Sequence, residues 1–92
     1  MNIRKFRQRH PQIEAIQWTG DNAEDLRKFT SKSFYFIDPE DREDDPDQTA
    51  AVFTTQNHRW EGVYPGDWII RTADEEIRMM RKDDFERDFE EI

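Results

Sequence analysis

Short runs of β-branched and aromatic residues, separated by turn-forming residues, recur along this chain of 92 residues. Runs of this length and composition are typical of β-strands, whereas an amphipathic helix needs a longer stretch with apolar residues three and four positions apart. The sequence therefore predicts a domain built mainly on strands. The strand-like runs cover residues 3–9, 13–18, 33–37, 51–55, 59–63, 68–72 and 76–80.

Two pairs of these runs are separated by residues that favour hairpin connections. Gln56-Asn57-His58 joins one pair and Ala73-Asp74-Glu75 joins the other, so the strands of each pair are expected to be antiparallel. Between the two hairpins, Pro65-Gly66 fits the centre of a type II turn, because proline presets the first φ and glycine tolerates the positive second φ. These connections predict an antiparallel sheet.

A first helix is predicted near residues 22–31. Asp21 and Glu24 form the D-x-x-E pattern that commonly starts a helix. In such a helix, Leu26 and Phe29 would face inward.

A second helix is predicted near residues 84–91, because Asp83 and Glu86 repeat the D-x-x-E pattern. A spacing of four and then three residues places three apolar side chains on one face of this helix. These residues are Phe85, Phe89 and Ile92.

Together these elements indicate an α+β fold, a small antiparallel β-sheet with two short helices. A chain of this length forms a single domain, residues 1–92, because domains usually contain about 100–200 residues. So small a domain buries a limited share of its surface, and only 34% of its residues are hydrophobic. We therefore expect a homo-oligomer, a symmetric dimer or a larger closed assembly.

The composition is acidic and rich in aromatic residues. Seven Phe, three Trp and two Tyr argue for a folded domain, although 39% of the residues are charged. The formal net charge of −8 repels the phosphate backbone, whose attraction supplies most non-specific affinity for nucleic acid. We therefore predict no nucleic-acid partner.

Residues 38–49 are predicted to form a solvated acidic loop, because Asp and Glu dominate the stretch and two prolines interrupt it. A calcium-binding loop requires a glycine at its sharp turn and a closing glutamate, and this stretch contains no glycine. We predict no metal site here.

The chain contains no cysteine, which excludes disulfides and cysteine-based zinc or redox sites. No apolar segment follows the basic N-terminus, and nowhere do eighteen apolar residues run together. The sequence therefore predicts neither secretion nor a membrane-spanning segment.

Dense motifs near the two ends carry a family resemblance. They are IRKFR at residues 3–7, EAIQWTGDN at residues 14–22 and PGDWII at residues 65–70. They resemble the N-terminal and C-terminal motifs of a widespread family of small bacteriophage-encoded proteins, mostly of unassigned function. Further matches to the C-terminal motif are Lys82, Asp83, Phe85, Glu86 and Phe89.

The resemblance is incomplete. Residues 72–80 lack the paired glycines and the tyrosine of the family motif, the middle of the chain does not match, and the acidic loop is interpreted as an insertion. The resemblance implies a phage origin, an accessory role and a place in the host cytoplasm, and it implies no particular biochemistry.

The sequence contains no recognisable catalytic constellation. His10 lies in a basic segment and His58 in a turn, and neither has a serine or threonine in a nucleophile-elbow context. No glycine-rich phosphate-binding loop is present. We therefore predict a protein that is not an enzyme and uses no cofactor.

Aromatic and basic residues are the remaining candidates for a binding site. Tryptophan supplies a stacking surface and arginine makes bidentate contacts with phosphate or carboxylate. Core packing is the competing interpretation for Trp18 and Trp68, whereas Trp60 has charged neighbours. The predicted ligand-binding residues are Arg4, Lys5, Arg7, Arg9, Trp18, Trp60, Trp68 and Arg71.

Two classes of function fit these residues. The first is a phage counter-defence protein that sequesters a nucleotide-like immune signal, an anionic cyclic or modified nucleotide, so that the host effector is never triggered. The second is an acidic inhibitor or decoy that binds a basic host protein. A virion or assembly factor is a third, less favoured, hypothesis.

Overall fold

The computed structural model describes residues 3–7, 12–42 and 45–91. These residues form an α+β fold of eight strands, two short α-helices and one 3-10 turn at Pro39–Asp41. The strands are β1 (Arg4–Arg7), β2 (Gln12–Gln17), β3 (Phe34–Phe36), β4 (Ala50–Thr54), β5 (Arg59–Val63), β6 (Trp68–Arg71), β7 (Ile77–Met80) and β8 (Glu90–Glu91). The helices are α1 (Ala23–Phe29) and α2 (Lys82–Asp88).

The predicted α+β fold with antiparallel strands and two short helices is confirmed, but the strands form two sheets instead of one. One sheet has the order β7-β6-β2-β1-β8 and the other the order β3-β4-β5. Both predicted hairpins are confirmed, since β4 pairs with β5 and β6 pairs with β7. Local hairpin signals fix which neighbours pair, but they do not say whether separate hairpins join one ladder.

Side chains on the two faces of the five-stranded sheet enter different clusters. Ile16 and Ile69 pack on one face with residues of α1 and the three-stranded sheet. Ile70, next in sequence, packs on the other face with Phe85 of α2. Successive strand residues point to opposite faces, so the five-stranded sheet is the central layer, with α2 on one side and the smaller sheet and α1 on the other.

Helix α1 lies within the predicted range, and both Leu26 and Phe29 are buried. Its N-cap is Asn22, one residue later than the D-x-x-E pattern indicates. The Asn22 side chain accepts a hydrogen bond from the Thr19 amide and donates one to the Gln17 carbonyl. The polar residues before α1 therefore shape the turn from β2 instead of capping the helix.

Helix α2 starts before the predicted residue 84 and ends at Asp88, so its predicted extension to residue 91 is wrong. Phe89 adopts an extended conformation, and its ring stacks on Phe85 with ring centroids 4.8 Å apart. The chain then forms β8, which pairs with β1. Ile92 lies outside the described residues.

The predicted turn and loop are both present. Gly66 has a φ of 101°, and the Asp67 amide donates to the Tyr64 carbonyl at 3.0 Å, as in a type II turn. Within residues 38–49, the described part contains no strand or α-helix. Neither helix of the described chain is long and apolar enough to cross a lipid bilayer.

Candidate functional site

Three of the basic residues predicted to bind an anion, Arg4, Lys5 and Arg7, lie on strand β1. In β1, Lys5 lies opposite Glu14 of β2, and Arg7 lies opposite Glu90 of β8. Arg4 lies opposite Ala15, and Arg9 lies outside the described residues.

Arg71 holds β6 against the end of α1. Its Nη2 lies 2.7 Å from Glu14 Oε1, and its Nη1 donates to the Phe29 carbonyl at 3.1 Å. The guanidinium carbon lies 4.4 Å from the centroid of the Phe29 ring. Arg71 is therefore a structural residue, and its charge is matched within the fold.

Trp18 and Trp68 are core residues, with 0% and 3% of their surface exposed. The Trp18 indole nitrogen donates to the Thr49 hydroxyl at 2.8 Å, and Trp68 stacks on Phe85 with centroids 4.4 Å apart. The core-packing interpretation is confirmed for both, and neither presents a face on which a ligand can stack.

The motifs at residues 14–22 and 65–70 contact each other at the turn between β5 and β6. The Trp18 amide donates to the Asp67 carbonyl at 2.8 Å, and the Gly66 amide donates to the Trp18 carbonyl at 2.7 Å. Asp67 is itself buried, and its carboxylate accepts the Tyr64 amide and pairs with Arg81. The motif residues of this region therefore hold the fold together.

Trp60 is the predicted ligand-binding tryptophan that the structure leaves exposed, at 50%. Tyr35 and Phe53 contact its ring edge-to-face, with centroid distances of 5.1 and 5.7 Å. These contacts fix the orientation of the ring while half of its surface faces solvent. Sequence reasoning missed Tyr35, although its alternation with Phe34 and Phe36 placed it on the opposite side of β3 from the core.

A cleft of about 300 Å³ lies beside Trp60, between strands β5 and β7. Its chemistry is mixed, since it combines an indole, two guanidinium groups, a carboxylate and a thioether. The lining residues are Arg59, Trp60, Glu61, Gly62, Met79 and Arg81.

Main-chain groups of β5 also face this cleft. The Phe53 amide donates to Ser33 and the Ile37 amide donates to Thr49, so the odd-numbered residues of β4 bond to β3. In an antiparallel ladder the alternate residues bond to the other neighbour, which leaves the peptide groups of Trp60 and Gly62 on the outer edge of β5. Consistent with this geometry, the Gly62 carbonyl accepts Arg81 Nη1 at 3.3 Å.

The two arginines of the cleft differ in how firmly they are held. The Arg81 guanidinium pairs with Asp67 and lies 4.7 Å from the centroid of the Tyr64 ring. The side chain of Arg59 is 70% exposed, and its ion pair with Glu61 is long, at 4.0 Å. Arg81 is therefore a fixed cation and Arg59 a solvent-exposed one. Sequence reasoning missed Arg81, because no local pattern distinguishes it from a surface residue.

The acidic loop is attached next to this cleft. The Tyr64 hydroxyl donates a hydrogen bond to Asp45, and this bond raises the pKa of the Tyr64 phenol, with smaller contributions from burial and from the charge of Asp45. The Gln48 side chain lies over Gly62, where an added Cβ would approach it to 2.4 Å. The end of the loop therefore packs along β5.

The structure places the remaining candidate groups on the surface. His58 is exposed in the turn between β4 and β5. Carboxylate oxygens of Asp38, Glu40 and Asp41 lie within 4.8 Å of one another, and all three residues are exposed. Exposed acids are common on a protein of this composition, and we assign no ion to this group. In the part of the chain that the structure describes, the cleft beside Trp60 best combines an exposed ring with cationic groups.

Comparisons of the chain with protein-family models, with curated proteins and with solved structures found no match. The resemblance to the bacteriophage family therefore stays a prediction.

Proposed function

We propose that this protein is a non-catalytic binding protein that takes up an anionic, aromatic small molecule of the nucleotide class in the cleft beside Trp60. One observation carries the proposal. Trp60 is half-exposed, is held by Tyr35 and Phe53, and stands at a cleft that also contains Arg59 and Arg81.

Stacking on Trp60 supplies the apolar part of recognition. A base stacked on an aromatic side chain contributes about 1–3 kcal/mol, and a ring that is already held by neighbours loses little freedom when the ligand binds. The outward peptide groups of Trp60 and the amide of Gly62 offer donors and an acceptor to the polar edge of the base. A flat heteroaromatic ring with a polar edge fits this arrangement.

The guanidinium groups supply the anionic part of recognition. The hydrogen bonds of Arg81 to described residues all involve Nη1, so its Nε and Nη2 are suited to a phosphate oxygen. Glu61 is held by the Thr54 hydroxyl at 2.5 Å and by Asn57 at 3.3 Å, which leaves the exposed Arg59 to approach a ligand. A charge-assisted contact of this kind contributes about 1.5–3 kcal/mol.

Together with the resemblance to phage proteins, this chemistry supports a counter-defence role in the host cytoplasm. A protein that only holds a cyclic or modified nucleotide lowers its free concentration, so a host effector that depends on the signal is not triggered. Sequestration requires affinity and abundance and no chemical step. It is therefore consistent with a small protein for which we predict no catalysis.

The test is calorimetric titration with cyclic di-AMP, cyclic AMP, adenosine and inorganic phosphate as probes. We expect a cyclic nucleotide to bind. Adenosine has the base without the phosphate, and inorganic phosphate lacks the base, so each should bind at least about tenfold more weakly. Mass spectrometry of small molecules released from the denatured protein extends the search to modified nucleotides.

Matched variants locate the site. Trp60→Ala and Arg59→Ala should each weaken binding about tenfold or more, and Arg81→Lys should weaken it while keeping a charge beside Asp67. Glu40→Ala, on the exposed acidic turn, should have no effect. If no nucleotide binds or co-purifies, or if binding is insensitive to Trp60 and Arg59, the proposal is wrong.

A second candidate function, an acidic decoy of a host protein, rests on the exposed carboxylates of Asp38, Glu40 and Asp41. Clustered charge of one sign steers binding of an oppositely charged partner. Loss of a host protein from pull-downs when these three residues are changed to Asn or Gln, with Trp60→Ala silent, would favour the decoy over the nucleotide-binding function.

A further inference from the structure

Strand β3 is an edge strand with exposed aromatic side chains. Among the described residues it pairs only with β4. Tyr35 is 48% exposed and Phe36 41% exposed. Unpaired edges that carry apolar residues are natural sites of strand pairing between chains, and β3 itself contains no charged residue or proline.

The main-chain groups on the open edge of β3 belong to Phe34 and Phe36. Ser33 and Ile37 bond to β4, since Ser33 accepts from the Phe53 amide and Ile37 donates to Thr49. The same register places Tyr35 opposite Ala51. Because alternate residues of a strand bond to opposite sides, the amides and carbonyls of Phe34 and Phe36 point away from β4.

The outward main-chain groups of Phe34 and Phe36 lie on either side of Tyr35, so an antiparallel copy of β3 places the donors of one strand opposite the acceptors of the other. We propose that β3 pairs antiparallel with β3 of a second copy, about a two-fold axis at Tyr35. In this register Phe34 lies opposite Phe36 of the second copy, and the outward groups of both strands form four main-chain hydrogen bonds. The two three-stranded sheets then become one six-stranded sheet.

The charges at the two ends of β3 match in the same register. Lys32 and Asp38 each lie three residues from Tyr35, so the two-fold axis places Lys32 of one copy beside Asp38 of the other. Both residues are exposed. Opposite charges therefore meet twice in the pair, once at each end.

The surfaces beyond the two ends of β3 also carry opposite charges. A basic cleft of about 400 Å³ lies where α1 leads into β3, and its lining includes Arg27, Lys28 and Lys32. The acidic turn that contains Glu40 and Asp41 follows the other end of β3. The two-fold axis brings each basic cleft towards the acidic turn of the second copy, which is why a second copy fits this edge.

This pairing does not depend on the proposed ligand. The cleft beside Trp60 lies on β5, at the opposite edge of the three-stranded sheet, so both clefts remain open in the dimer. Tyr35 lies at the axis and also contacts Trp60, so ligand binding is compared in the Lys32 and Asp38 variants, which change the dimer and keep both ring contacts of Trp60.

The first test is the mass in solution, by sedimentation equilibrium over a range of concentrations. We expect a dimer of twice 11.2 kDa. Tyr35→Lys places two like charges at the axis, and residue 35 is exposed in the monomer. The variant should raise the dissociation constant of the dimer at least about tenfold, which corresponds to about 1.4 kcal/mol. Circular dichroism checks that the variant is folded.

The second test exchanges the charges. Lys32→Asp and Asp38→Lys should each weaken the dimer, and the double variant should restore it, because the opposite charges meet again. Aspartate is suitable at residue 32, whose φ is 75°, since Asp tolerates this region better than most residues. Asp74→Lys makes the same charge change in an exposed turn and should leave the mass unchanged.

Two results would overturn the proposal. One is a monomer at every concentration. The other is a dimer that Tyr35→Lys leaves intact and that shows no charge rescue, because such a dimer uses another surface.

Discussion

The side-chain amide of Gln17 donates a hydrogen bond to the main-chain carbonyl of Gly66, at 3.0 Å. The bond connects the motif at the end of β2 with the turn before β6, and it joins residues 49 positions apart. Trp18 makes main-chain hydrogen bonds with Gly66 and Asp67 beside it. Together these bonds join the motif at residues 14–22 to the motif at residues 65–70. These motif residues therefore stabilise the fold.

The buried bond between Trp18 and Thr49 gives the first prediction. Thr49→Val keeps the size of the side chain but leaves the indole nitrogen of a fully buried tryptophan without this acceptor. We expect the free energy of unfolding to fall by about 1–3 kcal/mol, measured by urea denaturation. Thr19→Val is the comparison at an exposed hydroxyl, which donates to Asp21, and there the loss should be smaller. Equal stability of Thr49→Val and the parent protein would contradict the role of this bond.

Arg71 gives the second prediction. Arg71→Ala removes the bond to the Phe29 carbonyl, the ion pair with Glu14 and the contact with the Phe29 ring. We expect a loss of about 1–3 kcal/mol in the free energy of unfolding and no change in the affinity of the cleft beside Trp60. Arg78→Ala, an exposed arginine of β7, should cost less. If Arg71→Ala has normal stability but no longer binds the ligand, Arg71 is a ligand-binding residue after all.

Gly66 gives the third prediction. Its φ of 101° is disfavoured for any residue with a side chain, while an added Cβ would meet only Lys82 at 3.5 Å or more. Gly66→Ala should therefore lower the free energy of unfolding by about 1 kcal/mol or more through backbone strain alone. At Gly62 the obstacle is the Gln48 side chain, so a Gln48→Ala change should relieve Gly62→Ala and leave Gly66→Ala unrelieved. Relief at both positions would show that strain is not the cause at Gly66.

The Tyr64 hydroxyl gives the fourth prediction. Its bond to Asp45 raises the pKa of the phenol above the ordinary value of 10.0. Because the pKa is higher in the folded than in the unfolded chain, the bond adds stability that is fully present below pH 10.0 and is lost as the pH rises through the folded pKa.

Absorbance of the phenolate follows this titration. One of the two tyrosines should ionise above pH 10.0, and Asp45→Ala should move its midpoint down. Tyr64→Phe should abolish that transition. A midpoint that does not respond to Asp45→Ala would mean that the loop is not held at Tyr64.

The sequence predicted the local elements well for a physical reason. Hairpins, the Pro-Gly turn and α1 depend on residues close together in the chain, and side-chain periodicity reports directly which face is buried, as for Leu26 and Phe29. The pattern around α2 was less reliable. Phe89 has the spacing of a helical residue, but it packs on Phe85 from an extended conformation, which ends the helix at Asp88.

The candidate site was less predictable than the fold. The residue types of a binding site, exposed tryptophan and arginine, are the same types that stabilise a core or an ion pair. Trp60 was among the predicted residues, but Arg81 joins it from the N-cap of α2, just after β7 of the other sheet, and no sequence spacing encodes that approach. The basic N-terminal run lies on β1, which pairs with β2 and β8, and its pairing with β8 depends on residues that are distant in sequence.

What the sequence by itself determined is therefore most of the strands, helices and turns, though not β8, because these follow from interactions within a few residues. Only the tertiary structure decided that the strands divide into two sheets, that Trp18 and Trp68 are buried while Trp60 is exposed, and that Arg71 is paired while Arg59 extends into solvent. Each of these outcomes depends on which distant residue arrives at the same place. Strand pairing and the packing of the layers determine which distant residues come into contact, and both depend on the fold of the whole chain.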